Sequence, residues 1–199
     1  SDMESLSSYD KGKKSFEGRR YTKDIQTATE AMRLLLEPIK EEQARLKKAK
    51  KKPWNPRMVL TLGNHEDRIQ RAINDDPKLE GLINVSDLPY QDWEVIPYLQ
   101  PIVIDGVAYC HYFTSGVMGR PVSSPALLLT KKHMSCIMGH VQDRGIAFAK
   151  RADGKRMTGL FAGICYTHDE DYLTPQTNGS WAGVWMLHEV NDGSFDEMP

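Results

Sequence analysis

Apolar residues recur at spacings of three and four near the start of the chain: Ile25, Ala28, Met32, Leu35, Leu36 and Ile39. That spacing predicts one face of a helix beginning near Thr22. Pro38 falls inside the pattern and predicts a kink, or an end to the helix's first half. Strong helix formers continue over 41–52, and Pro53 and Pro56 then stop the helix. The period changes beyond them. Met58, Val59, Leu60, Thr61 and Leu62 form a short apolar run that predicts a buried strand over 57–62. A polar loop follows at Gly63-Asn64-His65-Glu66, then a helix over about 66–75 that ends near Asp76-Pro77. A second short helical piece is expected over 78–84. Residues 86–100 are mixed, with Trp93 and Tyr98 as anchors.

The second half alternates more quickly. Asp105-Gly106 lies between two β-branched runs, 101–104 and 107–111, which is a strong hairpin signal. A loop rich in glycine and proline covers 116–125, and a short helix opens near Ala126 with Ser124 as its cap. Residues 135–138 form a short apolar strand closed by Gly139-His140. The remainder predicts a β meander over 145–150, 156–162 and 181–190, with a turn at Ala152-Asp153-Gly154. Residues 1–21 are polar and are expected to form a loop. Strands interleaved with helices indicate an α/β protein, and 199 residues suffice for one sizeable core in a single domain.

Composition alters this picture in three places. The formal net charge is −1, so average charge demands neither a polyanion nor a membrane as partner. Its distribution is uneven, however: six of the eight residues 45–52 are basic. That cluster suits the C-terminal end of a helix dipole and is expected to be solvated, with nucleic-acid contact as the alternative. Three widely spaced cysteines, Cys110, Cys136 and Cys165, give no disulfide framework and are expected to be small buried hydrophobes in a reducing compartment. No apolar run reaches membrane-spanning length, and no signal-peptide pattern opens the chain. Residence in the cytoplasm is the default expectation.

The candidate chemistry lies where strands end. Strand 57–62 leads into Asn64-His65, strand 107–111 ends in His111, and strand 135–138 leads into Gly139-His140. If these strands share one sheet, their ends lie on one edge and can surround an ion, as ligands do at strand ends in open α/β folds. Imidazole with amide oxygen suits manganese, iron or zinc better than calcium. Two such ions about 3.5–4 Å apart would clamp a phosphate and generate a hydroxide nucleophile.

Gly63-Asn64-His65-Glu66, then His111, then Gly139-His140-Val141-Gln142 occur in the order found in calcineurin-like metallophosphoesterases, and the chain resembles phage-type members of that family over about residues 54–190. The resemblance implies an αββα sandwich with mixed sheets, here without its N-terminal strands, and hydrolysis of a phosphate mono- or diester by metal-activated water. It implies two ions in the complete protein, manganese first, with iron, zinc or nickel as alternatives. Asn64, His111 and His140 would then bind the second metal. Gln142 would face the first, in place of the family's final His. His65 would lie over the phosphate and assist the leaving oxygen, and Glu66 would orient the loop. The Asp-x-His block does not occur, and Ser1-Asp2 matches only the tail of Gly-Asp-x-x-Asp. The isolated 199-residue chain is therefore expected to be impaired as an enzyme, and exposed apolar surface would favour an oligomer.

Other readings are plainer. A catalytically decayed phosphoesterase fold used for binding is the main alternative, favoured by Gln142. Asn64 and His65 could form a turn and a helix cap, and His111 and His140 could be structural strand-end histidines. Gln142 could be a polar loop residue. His168 is expected to be solvated, with a substrate role as the alternative; His133 and His188 have no assigned role. Arg68 and Arg71 follow the motif and are expected on a solvated helix surface rather than facing a phosphate.

Overall fold

The computed structural model describes residues 2–8, 11–166 and 180–199. It is a mixed α/β protein whose backbone divides into two compact units, Ser1–Ile96 and Pro97–Pro199.

In the first unit, helix α1 spans Tyr21–Lys48 without interruption, so the break expected at Pro38 does not occur. Pro38 removes the N–H that would bond the Leu34 carbonyl. Leu34 is 54% exposed, so that carbonyl lies on a wet face rather than in the core. Ala28 and Leu36 are buried, with Ile25 and Met32 packed on the core, whereas Leu35 is 57% exposed and outside the expected apolar face. Strand β1 (Val59–Thr61) leads through helix α2 (Asp67–Asp75) to strand β2 (Glu94–Ile96), which pairs with β1 in parallel. β1 is half-buried rather than buried. In α2, Ile69 and Ile73 are one turn apart on the face that meets Met3, Ala28, Ile83, Leu88 and Tyr90. The helix expected over 78–84 is only a 3-10 turn at Pro77–Leu79. The polar start also differs from a plain loop: it forms 3-10 turns at Glu4–Leu6 and Lys14–Phe16, and Met3 is part of the core.

The second unit is built on a five-stranded mixed sheet. Its strands are β3 (Ile102–Ile104), β4 (Val107–Cys110), β5 (Cys136–Met138), β6 (Arg144–Lys150) and β7 (Arg156–Ala162), in spatial order β3-β4-β5-β7-β6. The three central strands are parallel, and Cys110 pairs with Met138, which pairs with Phe161. Asp105 and Gly106 both have positive φ, 50° and 81°, as a tight hairpin with the right twist requires. Helix α3 (Pro125–Lys132) is capped by Ser124, whose Oγ accepts from the Leu127 N–H at 3.2 Å. It packs on β6 and β7 where glycine leaves room: a Cβ on Gly159 would come within 2.5 Å of the Pro125 carbonyl oxygen.

The last expected strand does not extend the sheet. β8 (Met186–Asn191) pairs instead with β9 (Ser194–Met198), a hairpin turned by Asp192-Gly193. This tip docks on the Asp105-Gly106 tip: the Gly193 N–H donates to the Asp105 carbonyl at 2.9 Å. Buried Ser135 joins them, donating to the Gly193 carbonyl and accepting from the Thr158 N–H at 3.0 Å. Cys110 and Cys136 are buried as expected, and burial pushes the Cys136 thiol up to about 12. Cys165 is exposed, contrary to the expectation, because it follows β7 beyond the sheet.

Gly159→Ala should lower stability by about 1–3 kcal/mol, since the added methyl meets backbone rather than a movable side chain. Gly116→Ala, with open space around it, should be nearly neutral. Urea unfolding of both variants checks the contrast.

Candidate functional site

The two groups of predicted site residues fall in different units, and β1 does not belong to the sheet that carries β4 and β5. The expectation that all three strand ends share one sheet edge is therefore not met: among the described residues, β1 pairs only with β2. Each group is built by its own unit.

In the first unit, the Gly63–Glu66 loop is closed by its own acid. Glu66 Oε2 accepts from the Gly63 N–H at 2.9 Å, and its Oε1 accepts from the Tyr90 hydroxyl at 3.1 Å. Burial, reinforced by the Glu66 carboxylate, pushes the Tyr90 hydroxyl well above its ordinary range, so it remains a donor. Glu66 thus orients the loop, as expected. His65 Nδ1 lies 2.9 Å from Asp2 Oδ1. The bond to His65 holds the Asp2 carboxyl below its ordinary range, against a smaller opposing effect of burial.

Arg68 and Arg71 are not merely solvated. Arg68 Nη1 donates to the Asp2 carbonyl at 2.6 Å, fastening the N-terminal segment beside the loop. Arg71 Nη2 donates to the Asn64 carbonyl at 2.6 Å, and its Nε pairs with Asp67 at 3.1 Å. Sequence reasoning missed these roles because both bonds go to backbone carbonyls, which no side-chain pattern reveals.

In the second unit, parallel register places His111 and Gly139-His140 at the same end of adjacent strands. The Val141 N–H donates to the Gly139 carbonyl at 2.7 Å, closing a three-residue turn on His140, whose φ is 63°. Turns of this form with positive φ are rare and strained, and such strain concentrates at functional sites. His140 Nδ1 lies 3.2 Å from His111 Nε2. Tyr112 packs against both rings, 4.8 Å from His140 and 5.9 Å from His111 between centroids. Tyr98 donates to the Tyr112 hydroxyl at 2.9 Å, and Tyr112 donates to the Gly119 carbonyl at 3.3 Å. Gln142 Nε2 donates to the Tyr166 hydroxyl at 3.2 Å.

Two metal–imidazole bonds of about 2.0–2.1 Å, at tetrahedral or cis-octahedral angles, place their nitrogens about 2.9–3.4 Å apart. The His111–His140 separation fits that range. Among the described residues, no group of three or more His, Cys, Asp or Glu side chains forms a metal-sized cluster, so the fit rests on two imidazoles. His133 ends α3 in the left-handed conformation, a capping role. His168 lies outside the described residues. No protein-family model, curated protein or solved structure matches this chain. Among the described residues, no helix is long and apolar enough to cross a membrane.

Glu66→Ala should cost about 2–4 kcal/mol, because the Gly63 N–H and the Tyr90 hydroxyl both lose their acceptor. Glu66→Gln should cost about half as much, and chemical denaturation distinguishes the two. The Asp2 carboxyl is depressed in the folded chain, so its stabilising contact with His65 is full above the ordinary carboxylate pKa and is lost as pH falls through the depressed value. An NMR titration should find Asp2 titrating below 3.8, and His65→Ala should return it towards that value.

Proposed function

We propose that the chain is a metal-dependent phosphoesterase of the calcineurin-like type, with His111 and His140 as metal ligands. The observation that carries this reading is the convergence of two imidazole nitrogens at 3.2 Å, across adjacent parallel strand ends. Gln142 is a further oxygen donor on the turn that follows. The assignment of Asn64 to the same metal rests on the resemblance alone, as does the αββα sandwich. Manganese is the first choice of ion, and the substrate is a phosphate mono- or diester.

The ions, when bound, supply Lewis acidity and an activated water. His65 handles the proton. Its Nδ1–H is held by the Asp2 carboxylate; with Nε2 also protonated, the ring would give the Nε2 proton to the leaving oxygen, a role that rests on the resemblance. Glu66 and Arg71 hold the loop that carries it. A second reading, a metal-binding module without turnover, is favoured by Gln142: an amide binds a transition metal more weakly than the family's imidazole.

Titration calorimetry with Mn²⁺ tests the ligand assignment. His111→Ala and His140→Ala should each weaken binding at least about 10-fold, and affinity should fall at low pH because only neutral imidazole ligates. Binding unchanged in both variants would refute it. In protein that also carries the Asp-x-His and Gly-Asp blocks, hydrolysis of bis(p-nitrophenyl) phosphate should fall about 10²-fold in His65→Gln. Bound metal with no turnover there would leave the binding-module reading standing instead.

A further inference from the structure

Residues 45–57 carry seven cations, Arg45, Lys47, Lys48, Lys50, Lys51, Lys52 and Arg57, and no anion, in a chain whose net charge is −1. Two of the seven are occupied. Arg45 forks onto Glu42 at 2.6 and 2.7 Å, and Arg57 onto Glu94 at 2.8 and 2.9 Å. The five lysines are all exposed, Lys47 and Lys48 in the last turn of α1 and Lys50, Lys51 and Lys52 in the strap that leaves it. Such an accumulation of like charge repels itself, and the helix dipole offsets only the part that lies in the last turn of α1.

The second observation is aromatic. Trp54 follows these lysines and is 46% exposed. Its placement is built rather than loose. Lys50 turns the chain with φ 50°, the Lys51 N–H donates to the Leu46 carbonyl at 3.0 Å, and the strap folds back along the helix. There Gln43 Nε2 donates to the Trp54 carbonyl at 3.2 Å and reaches Asn55 Oδ1 at 3.4 Å. Pro53 and Pro56 restrict the backbone on either side. Lys47 lies one turn beyond Gln43 on the same helix face, the face on which Gln43 ties down the strap.

An exposed indole on a tethered strap flanked by exposed lysines has the two elements that unpaired nucleic acid requires. The cations meet phosphates, and the ring offers a face on which any base can stack. A duplex would use the cations but keep its bases from the indole. We propose that the end of α1 and the strap over residues 47–54 form a binding surface for single-stranded nucleic acid. The surface lies wholly within the first unit and uses no metal, so it stands independently of the phosphoesterase reading.

The test measures binding of the full chain, with EDTA present, to fluorescein-labelled oligo(dT) and oligo(U) of twenty nucleotides and to a duplex of equal length, from 50 to 300 mM salt. The expected result is tighter binding to single strands than to the duplex, with Trp54 fluorescence quenched. Converting Lys47, Lys48, Lys51 and Lys52 together to Gln should flatten the slope of log affinity against log salt by about 3. Trp54→Ala should weaken single-strand binding about 10-fold at an unchanged slope, and Trp54→Phe should restore most of it. All the changed side chains are exposed, and circular dichroism confirms the fold of each variant. Equal affinity for duplex and single strand with no effect of Trp54→Ala would overturn the proposal, as would a salt slope unchanged in the lysine variant. Preference between the DNA and RNA strands identifies which of the two the surface takes.

Discussion

The second unit depends on the register of three parallel strands. Cys110, Met138 and Phe161 lie side by side, and everything at the carboxyl edge follows from that alignment. A parallel ladder fixes strand ends at one level, so His111 and His140 leave the sheet as neighbours although 29 residues separate them. A slip by one residue would turn one of the rings to the opposite face. The register is itself secured from outside the ladder. Glycine at 159 lets Pro125 reach the sheet, and Ser135 ties β5 to both β7 and the Asp192-Gly193 tip.

The strained turn at His140 makes sense on this frame. A strand continued in extended conformation would carry the imidazole away from its neighbour. The positive φ bends the chain immediately after Gly139, and Tyr112 fills the space against the rings. The hydrogen-bonded chain from Tyr98 through Tyr112 to Gly119 then fixes that aromatic wall. In the first unit, a different device does the same work. Glu66 spans its own loop, and Arg68 and Arg71 grip backbone carbonyls, so His65 is positioned by charge-assisted bonds rather than by packing. The same chain therefore holds its two groups of candidate residues by two kinds of restraint, one from sheet register and one from local hydrogen bonding.

Local signals were legible where one residue type has one physical reason to be present. Asp105-Gly106 specified a hairpin because the turn needs two positive φ values, and Ser124 specified a helix start because a free N–H needs an oxygen. The same logic applied to Asp192-Gly193 marks the β8–β9 hairpin, but the short strand after it, Ser194–Met198, mixes charge with only Phe195 and Met198 as large apolar residues and reads weakly. Pro38 was misleading because its cost depends on whether the orphaned carbonyl is wet, which is a tertiary property. Met3 escaped notice because one apolar residue in a polar run has no period.

By itself, the sequence determined the α/β class, the positions of most strands, and the candidate chemistry at Asn64, His65, His111, His140 and Gln142. The class, the strands and the strand-end positions of Asn64, His65, His111 and His140 are consequences of periodicity and residue type, which act over a few neighbours, whereas Gln142 was singled out by the family resemblance alone. Only the tertiary structure decided which of them meet. It brought His111 to His140 and Asp2 to His65, contacts spanning 29 and 63 residues, and it placed β1 in a sheet apart from β4 and β5. The reason is physical: a strand's pattern states which face is apolar but not which strand will satisfy its backbone hydrogen bonds. That choice is made by packing and register across the whole unit.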